Sequence, residues 1–386
     1  MKRTDRQPLK ITHFALENWR NFSRVDIDVG NRLFLVGPNA SGKSNFLDAF
    51  RFLHDIVAVG GGFQGAVGKR LGVSRLRCLA ARRYPDVSLQ VRLGNHVSAN
   101  AWEYQLSFNQ DNRQRAVLKK ERVSRNGEDL IHRPDEMDRS DMERLTQTYL
   151  EQVNVNQKFR EVADFLKTVR YLHIVPQLVR EPDRSAGRRN DPFGGDFLEQ
   201  VARTPDKTKN ARLRRIRDVL RFAVPQLKEL ELATDQRGTP HLRGKYEHWR
   251  PQGAWQSETD FSDGTLRLLG LLWVTLDGSG PLLLEEPELS LHPEVVRYIP
   301  QMFARMQRRS GRQVFVSTHS TDLLLDEGIG ADEVFVLDPE SEGTAVWPAS
   351  NVQQIQRLLE GGSTMAEAVM PYTRPVRAQQ LSLFGG

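Results

Sequence analysis

The chain has 386 residues, of which 27% are charged, with 55 Lys and Arg against 49 Asp and Glu and a formal net charge of +6. Such a length buries a sizeable core and leaves room for two or three structural units. One cysteine excludes an internal disulfide, MKRTDRQPLK holds no apolar leader, and no run nears the twenty apolar residues of a membrane helix, so a cytoplasmic protein without membrane contact is expected.

In chain order, ITHFALEN and VDIDV alternate as strands, and RLFLVG is apolar throughout. The last run breaks at Gly37-Pro38-Asn39 into SNFLDAFRFLHDI, where Phe46, Ala49, Phe50 and Leu53 recur at helical spacing. A glycine-rich link, VGGGFQGAVG, leads to the basic KRLGVSRLRCLAARR, and DVSLQVRLGN with WEYQLSFN reads as an antiparallel pair. Residues 135–171 read as short helices without a sustained heptad, and 181–210 as polar loop. KNARLRRIRDVLRFAV puts Leu213, Ile216 and Leu220 on one face and its arginines elsewhere. From Phe261 onward, apolar strands (PLLLEE, QVFVSTHS, EVFVLD) alternate with amphipathic helices, which implies a parallel sheet covered on both faces.

GPNASGKS, Gly37 to Ser44, satisfies G-x-x-x-x-G-K-[ST] between an apolar strand and a helix, the setting that gives the motif its chemistry. Small residues such as Gly37 and Gly42, with Asn39 between them, turn backbone N–H groups toward a phosphate, and the helix N-terminus adds partial positive charge. Lys43 would reach the β- and γ-phosphates of ATP, and Ser44 would ligate Mg²⁺. PLLLEEPE ends an apolar strand in two carboxylates: Glu285 is placed to hold Mg²⁺, and Glu286 to orient and polarise the attacking water. His319 closes another apolar strand, at the end where α/β folds place their ligands.

Taken in order, these elements resemble the ATP-binding cassette (ABC) ATPases, within them the RecF/SMC/OLD-like branch. The resemblance covers about 1–50 and 260–345, more weakly 165–182. It implies an α/β, ABC-type P-loop ATPase head: a mixed sheet with N-terminal antiparallel strands, a parallel core sheet and an inserted helical or lid region. The implied layout is an N-terminal lobe over 1–180, a basic inserted helical region over 181–257, a C-terminal lobe over 258–345, and a C-terminal helix with a tail over 346–386. In this family the SDG turn is the signature motif, so Ser262 and Gly264 would bind the γ-phosphate of ATP held by a second subunit. Glu286 would be the catalytic glutamate, His319 the switch histidine, and ELSLHP the D-loop. Arg20 and Asn21 of NWRNF would approach the nucleotide, and Gln177 would be the Q-loop contact to Mg²⁺ and water. Asp263 and Glu285 depart from the transporter pattern and agree with the OLD-like branch.

More than two hundred residues separate the phosphate loop from the signature turn, too many for a transporter cassette, and they lack the heptads of a full SMC coiled coil. No set of acidic clusters follows His319, so no toprim nuclease domain is expected in the chain. The expected machine is an ATP-dependent homodimer acting on DNA, with the ATPase subunit of an antiviral defence complex and a separate effector nuclease as the alternative. Two basic clusters suit phosphate backbones: Arg70, Arg75, Arg77, Arg82 and Arg83, and the helix carrying Arg212, Arg214, Arg215 and Arg217. The final QLSLFGG resembles the pentapeptide by which bacterial repair and polymerase proteins dock on the sliding clamp. Gln380, Leu381, Leu383 and Phe384 would make that contact.

Overall fold

The computed structural model describes residues 8–81, 85–95, 98–182, 191–248, 254–374 and 380. Arg82, Arg83, Leu381, Leu383 and Phe384 lie outside these described residues.

The chain opens with strands β1 (Lys10–Trp19), β2 (Phe22–Asp28) and β3 (Arg32–Val36), then helices α1 (Lys43–Val57), α2 (Phe63–Gly68) and α3 (Val73–Leu76). Strands β4 (Val87–Gly94), β5 (Trp102–Gln110), β6 (Ala116–Arg125) and β7 (Glu128–Arg133) follow, then α4 (Glu136–Ser140), α5 (Arg160–Lys167), β8 (Arg170–Leu172) and α6 (Pro176–Arg180). Next come α7 (Phe197–Arg203), α8 (Asp206–Ala223), β9 (Leu227–Thr234), β10 (Pro240–Tyr246) and β11 (Ala254–Ser257). The C-terminal part contains α9 (Asp263–Leu276), β12 (Leu282–Glu285), α10 (Pro293–Val296), α11 (Ile299–Ser310), β13 (Val314–Ser317) and α12 (Thr321–Leu324). It ends in β14 (Val334–Glu340), β15 (Gly343–Pro348), α13 (Gln353–Glu360) and α14 (Met365–Val369).

These strands form three sheets. An antiparallel sheet runs β2-β1-β4-β5-β6-β7; a core sheet runs β15-β14-β3-β13-β12-β8; a small antiparallel sheet runs β11-β10-β9. In the core sheet β14, β3, β13, β12 and β8 are parallel, and β15 joins antiparallel at one edge. Its central strands β3, β13 and β12 are mostly apolar because both faces are covered. Leu33 and Leu35 of β3, Leu283 of β12 and Phe315 of β13 point into the core shared with α1 and the antiparallel sheet. Phe34, Val36, Leu282, Leu284, Val314 and Val316 point the other way, against α11, α12 and α14. A third core joins α7, α8 and α9 to the small sheet through Leu213, Ile216, Leu220, Leu242 and Trp273.

The α/β ABC-type head expected from the sequence is the fold observed. Three expectations need correction. The inserted region 181–257 is not helical alone, since β9–β11 form a sheet beneath α8. The stretch 181–210 is not all loop, because Phe197, Leu198 and Val201 bury one face of α7. Arg70 offers nothing to a nucleic acid: it is 3% exposed, and its guanidinium is held by Asp48 at 2.7 Å and Asp55 at 2.9 Å.

Candidate active site

Strands β3, β13 and β12 are adjacent and parallel, so their C-terminal ends open on one edge of the sheet. The phosphate loop leaves β3 there, Glu285 and Glu286 end β12, and Thr318 and His319 follow β13. Residues from three distant parts of the chain therefore meet along one edge.

The loop's shape follows from its residues. Gly42 adopts φ +100°, and a Cβ there would fall 2.1 Å from Asn21 Nδ2, so only glycine fits. Gly42 is also the N-cap of α1, with no side-chain hydrogen bond to the helix and no acidic residue in its first turn. The leading N–H groups of α1 are thus left for an anion. Ser41 Oγ is buried without a partner among the described residues, a second polar group with capacity to spare. Asn39 is exposed on the loop. Asn21 braces the loop: its Nδ2 donates to the Ser41 carbonyl at 2.8 Å and to Thr344 Oγ1 at 2.7 Å. Its Oδ1 accepts from Asn45 Nδ2 at 2.8 Å. Arg20 turns elsewhere, with its guanidinium 3.6 Å from Asp48 and donating to the Arg75 carbonyl at 3.4 Å.

Lys43 is 6% exposed, and its Nζ donates to the Gly37 and Pro38 carbonyl oxygens, each at 3.0 Å. Burial pulls its ammonium down to about 8, opposed by the nearby charges of Glu286, Glu285 and Glu288. Ser44 Oγ donates to one Glu285 oxygen and the Tyr171 hydroxyl to the other. Burial and the Glu285 charge push the Tyr171 phenol up, so it remains a donor. His173 Nδ1 stands 3.2 Å from the Glu285 carbonyl. Among the described residues no group of three His, Cys, Asp or Glu side chains is set to hold a metal. A hydroxyl beside one carboxylate suits Mg²⁺, which keeps several waters and takes its other ligands from phosphates.

Glu286 leaves the strand in a left-handed conformation, φ +43°, with its N–H donating to the Ser317 carbonyl at 3.0 Å. A non-glycine residue in that region signals a site held in place by its surroundings. Its carboxylate lies 3.4 Å from His319 Nε2. Burial lowers the pKa of His319, and the Lys43 charge lowers it further against the pull of Glu286, so the imidazole is neutral at pH 7. Glu288 is buried behind this pair, accepting from Thr318 Oγ1 at 2.5 Å and from the His319 N–H at 3.2 Å. Burial raises its pKa.

The signature turn is built by capping. Ser262 Oγ accepts from the Thr265 N–H at 3.2 Å, opening α9, and the residue is exposed. A Cβ at Gly264 would sit 2.4 Å from the Ser290 carbonyl, so the turn rests directly on the segment after Glu288. Asp263 pairs with Arg180 at 2.7 Å.

The structure thus gathers Lys43, Ser44, Glu285, Glu286, His319 and Asn21. Gln177 is exposed at the start of α6, and the contacts from this segment to Glu285 come from Tyr171 and His173. Neither residue was singled out in the sequence, although RYL follows a short amphipathic helix closely and could have been read as a partly buried edge strand. On α8, Arg212 pairs with Asp277 at 2.8 Å over the Trp273 ring, and Arg217 pairs with Asp218 at 2.7 Å. Arg214 and Arg215 are exposed, as is Gln380.

A family model described as "AAA domain, putative AbiEii toxin, Type IV TA system" matches residues 33–326. Among solved structures, an Smc head bound to the C-winged helix domain of ScpA superposes with a TM-score of 0.54 at 14% identity, covering 87% of this chain and 96% of that one. An Smc head with an extended coiled coil, bound to the C-terminal domain of ScpA derived from Pyrococcus furiosus, gives 0.51 at 12% identity, covering 91% and 100%. Endonuclease GajA of Bacillus cereus (strain VD045) is 43% identical over 47 residues, which is 12% of this chain and 8% of that protein's length. The phosphate loop, the acidic strand end and the histidine strand all lie within the matched family span, and the chain belongs to this AAA-domain family as an ATPase with an SMC-head-like, ABC-type fold.

Proposed function

We propose that this ATPase closes as a homodimer around two ATP molecules and acts on DNA. The observation that carries the reading is the arrangement of Glu286. Its backbone is held at φ +43°, and its carboxylate lies 3.4 Å from His319 on the edge where the loop presents Lys43. The exposed Ser262, seated through Gly264 on the segment after Glu288, supports a signature turn offered to a second protomer's nucleotide.

Lys43 and the leading N–H groups of α1 would hold the phosphates, with Ser44 and Glu285 on Mg²⁺. When bound, the ion neutralises charge building on the phosphate oxygens. Glu286 accepts a proton from the attacking water at its carboxylate. His319, neutral and in its Nε2–H tautomer, orients that carboxylate by donating to it. Tyr171 fixes the Glu285 oxygen that Ser44 does not hold.

DNA association is supported by the +6 net charge and by Arg214 and Arg215 on α8, exposed and without an ion-pair partner among the described residues. Glu286→Gln keeps the side chain's size and removes the base, so hydrolysis should fall by about 10²-fold or more with ATP still bound. Turnover at the wild-type rate in that variant, measured by phosphate release, would overturn the assignment. Reversal of Arg214 and Arg215 to glutamate should weaken duplex DNA binding and flatten its salt dependence. Unchanged anisotropy titrations would remove DNA from the reading. We also include docking of Gln380–Phe384 on the sliding clamp. A labelled 371–386 peptide should bind purified clamp, and its Leu383→Ala/Phe384→Ala form should not.

A second reading, an ATPase subunit of an antiviral defence complex working with a separate effector, is favoured by the GajA match and by the toxin system named in the family description. It predicts a stable complex with a protein encoded beside this chain, detectable by co-purification of the two after co-expression.

A further inference from the structure

Away from the nucleotide edge, helices α8, α9 and α11 enclose a groove of about 1120 Å³. Its floor is apolar, made by Ile216 of α8, Leu268, Leu272 and Leu276 of α9, and Met302 and Met306 of α11. Three large side chains on its lip face water: Phe222 is 89% exposed, Tyr298 62% and Val219 41%. Scattered exposed apolar residues need no explanation, but a continuous groove of them implies an occupant. Around it stand Arg215, Arg305, Arg308 and Arg309, all exposed, and none is in an ion pair with a described residue. The carboxylate of the lining, Glu294, pairs with Arg297 at 2.9 Å. Elsewhere on α8, Arg212 and Arg217 find carboxylates, whereas Arg215 on this rim has no ion-pair partner among the described residues.

We propose that this groove docks an amphipathic helix of a partner protein, with apolar anchors on one face and Asp or Glu along its flanks. The charge complementarity follows from the unpaired arginine rim. A helix is indicated because all three walls are helices with no strand edge to extend, and an apolar floor takes anchors at i, i+3/i+4 and i+7. Two Met side chains in the floor suit an adaptable helix-binding surface. Bare phosphate backbone would use the rim and leave Phe222 and the floor uncovered, so DNA fits this face less well. The inference does not rest on the DNA reading, and it gives the separate-effector reading a physical point of attachment.

The test uses the full chain and a synthetic helical peptide of about 18 residues, ~27 Å as a helix, with leucines at heptad spacing and glutamates flanking them. Fluorescence anisotropy should show saturable binding to the wild type. Affinity should fall at least tenfold for Phe222→Asp and for Arg305→Glu/Arg308→Glu, with the ATPase rate unchanged in both. The lysine-flanked version should bind the wild type at least tenfold more weakly and should recover on Arg305→Glu/Arg308→Glu. Absence of saturable binding, or equal affinity for both peptides, would overturn the proposal. So would duplex DNA that binds wild type and Phe222→Asp alike and fails with the arginine reversal, which would give the face to nucleic acid. A dimer without nucleotide that Phe222→Asp breaks would give it to a second copy of the chain.

Discussion

Lys43 is the residue on which electrostatics and function meet most directly. Burial brings its pKa to about 8, so in the free protein the ammonium loses its proton as pH rises through that value. Bound triphosphate favours the charged form, so binding above pH 8 must take up a proton, and affinity should fall about tenfold per pH unit there. Titration calorimetry at pH 7 and pH 9, in buffers of different ionisation enthalpy, reads both effects. A pH-independent affinity with no proton uptake would contradict this. Lys43, Ser44, Glu285 and Glu286 were legible because each sits at a fixed offset from a glycine or a strand end. Tyr171, His173 and Glu288 were not, because what gives them a role is neighbours more than a hundred, or about thirty, positions away in the chain. Arg20 shows the converse. Its place in the motif suggested the nucleotide, yet its φ of 55° and Asp48 draw it aside.

Among the elements, the signature turn depends on one missing side chain. With Ser290 carbonyl oxygen 2.4 Å from any Cβ at position 264, Gly264→Ala must push the turn off the segment that leads back to Glu286. Backbone cannot yield as a flexible side chain does, so kcat should fall by about 10-fold or more. The affinity for ATP of the isolated protomer should change little, because Gly264 is not in the phosphate loop. An equal loss in nucleotide affinity would contradict that division. The antiparallel sheet carries a different dependence. Arg133 at the end of β7 is fully buried between Glu121 at 2.9 Å and Asp138 at 2.7 Å. Arg133→Met strands two buried carboxylates and should cost about 3–5 kcal/mol in urea unfolding, and a loss below about 1 kcal/mol would refute the account. Strands β6 and β7 were missed because AVLKKERVSR carries five charged residues against four apolar ones. Only the Asn126-Gly127 turn between them, both at positive φ, marks the hairpin. The sheet β9–β11 was missed for a related reason: in LKELELAT the leucines at 227, 230 and 232 break strict alternation, and Lys228, Glu229 and Glu231 stand between them.

At the scale of the whole molecule, the reading turns on an assembly. A parallel core sheet brings the phosphate loop, the acidic pair and His319 to one edge, while the signature turn stays exposed on its own helix cap. That much was foreseeable, since apolar strands ending in Gly, Glu and His imply a shared C-terminal edge once the sheet is known to be parallel. The groove between α8, α9 and α11 was not foreseeable, because the exposure of Phe222 and Val219 depends on how α8 settles on the small sheet. The central claim is that two protomers complete each other's ATP sites, and light scattering on Glu286→Gln tests it most directly. With saturating ATP and Mg²⁺ the variant should elute at twice its protomer mass, and at the protomer mass without nucleotide. A variant that binds ATP with wild-type affinity yet stays at the protomer mass would contradict the composite site.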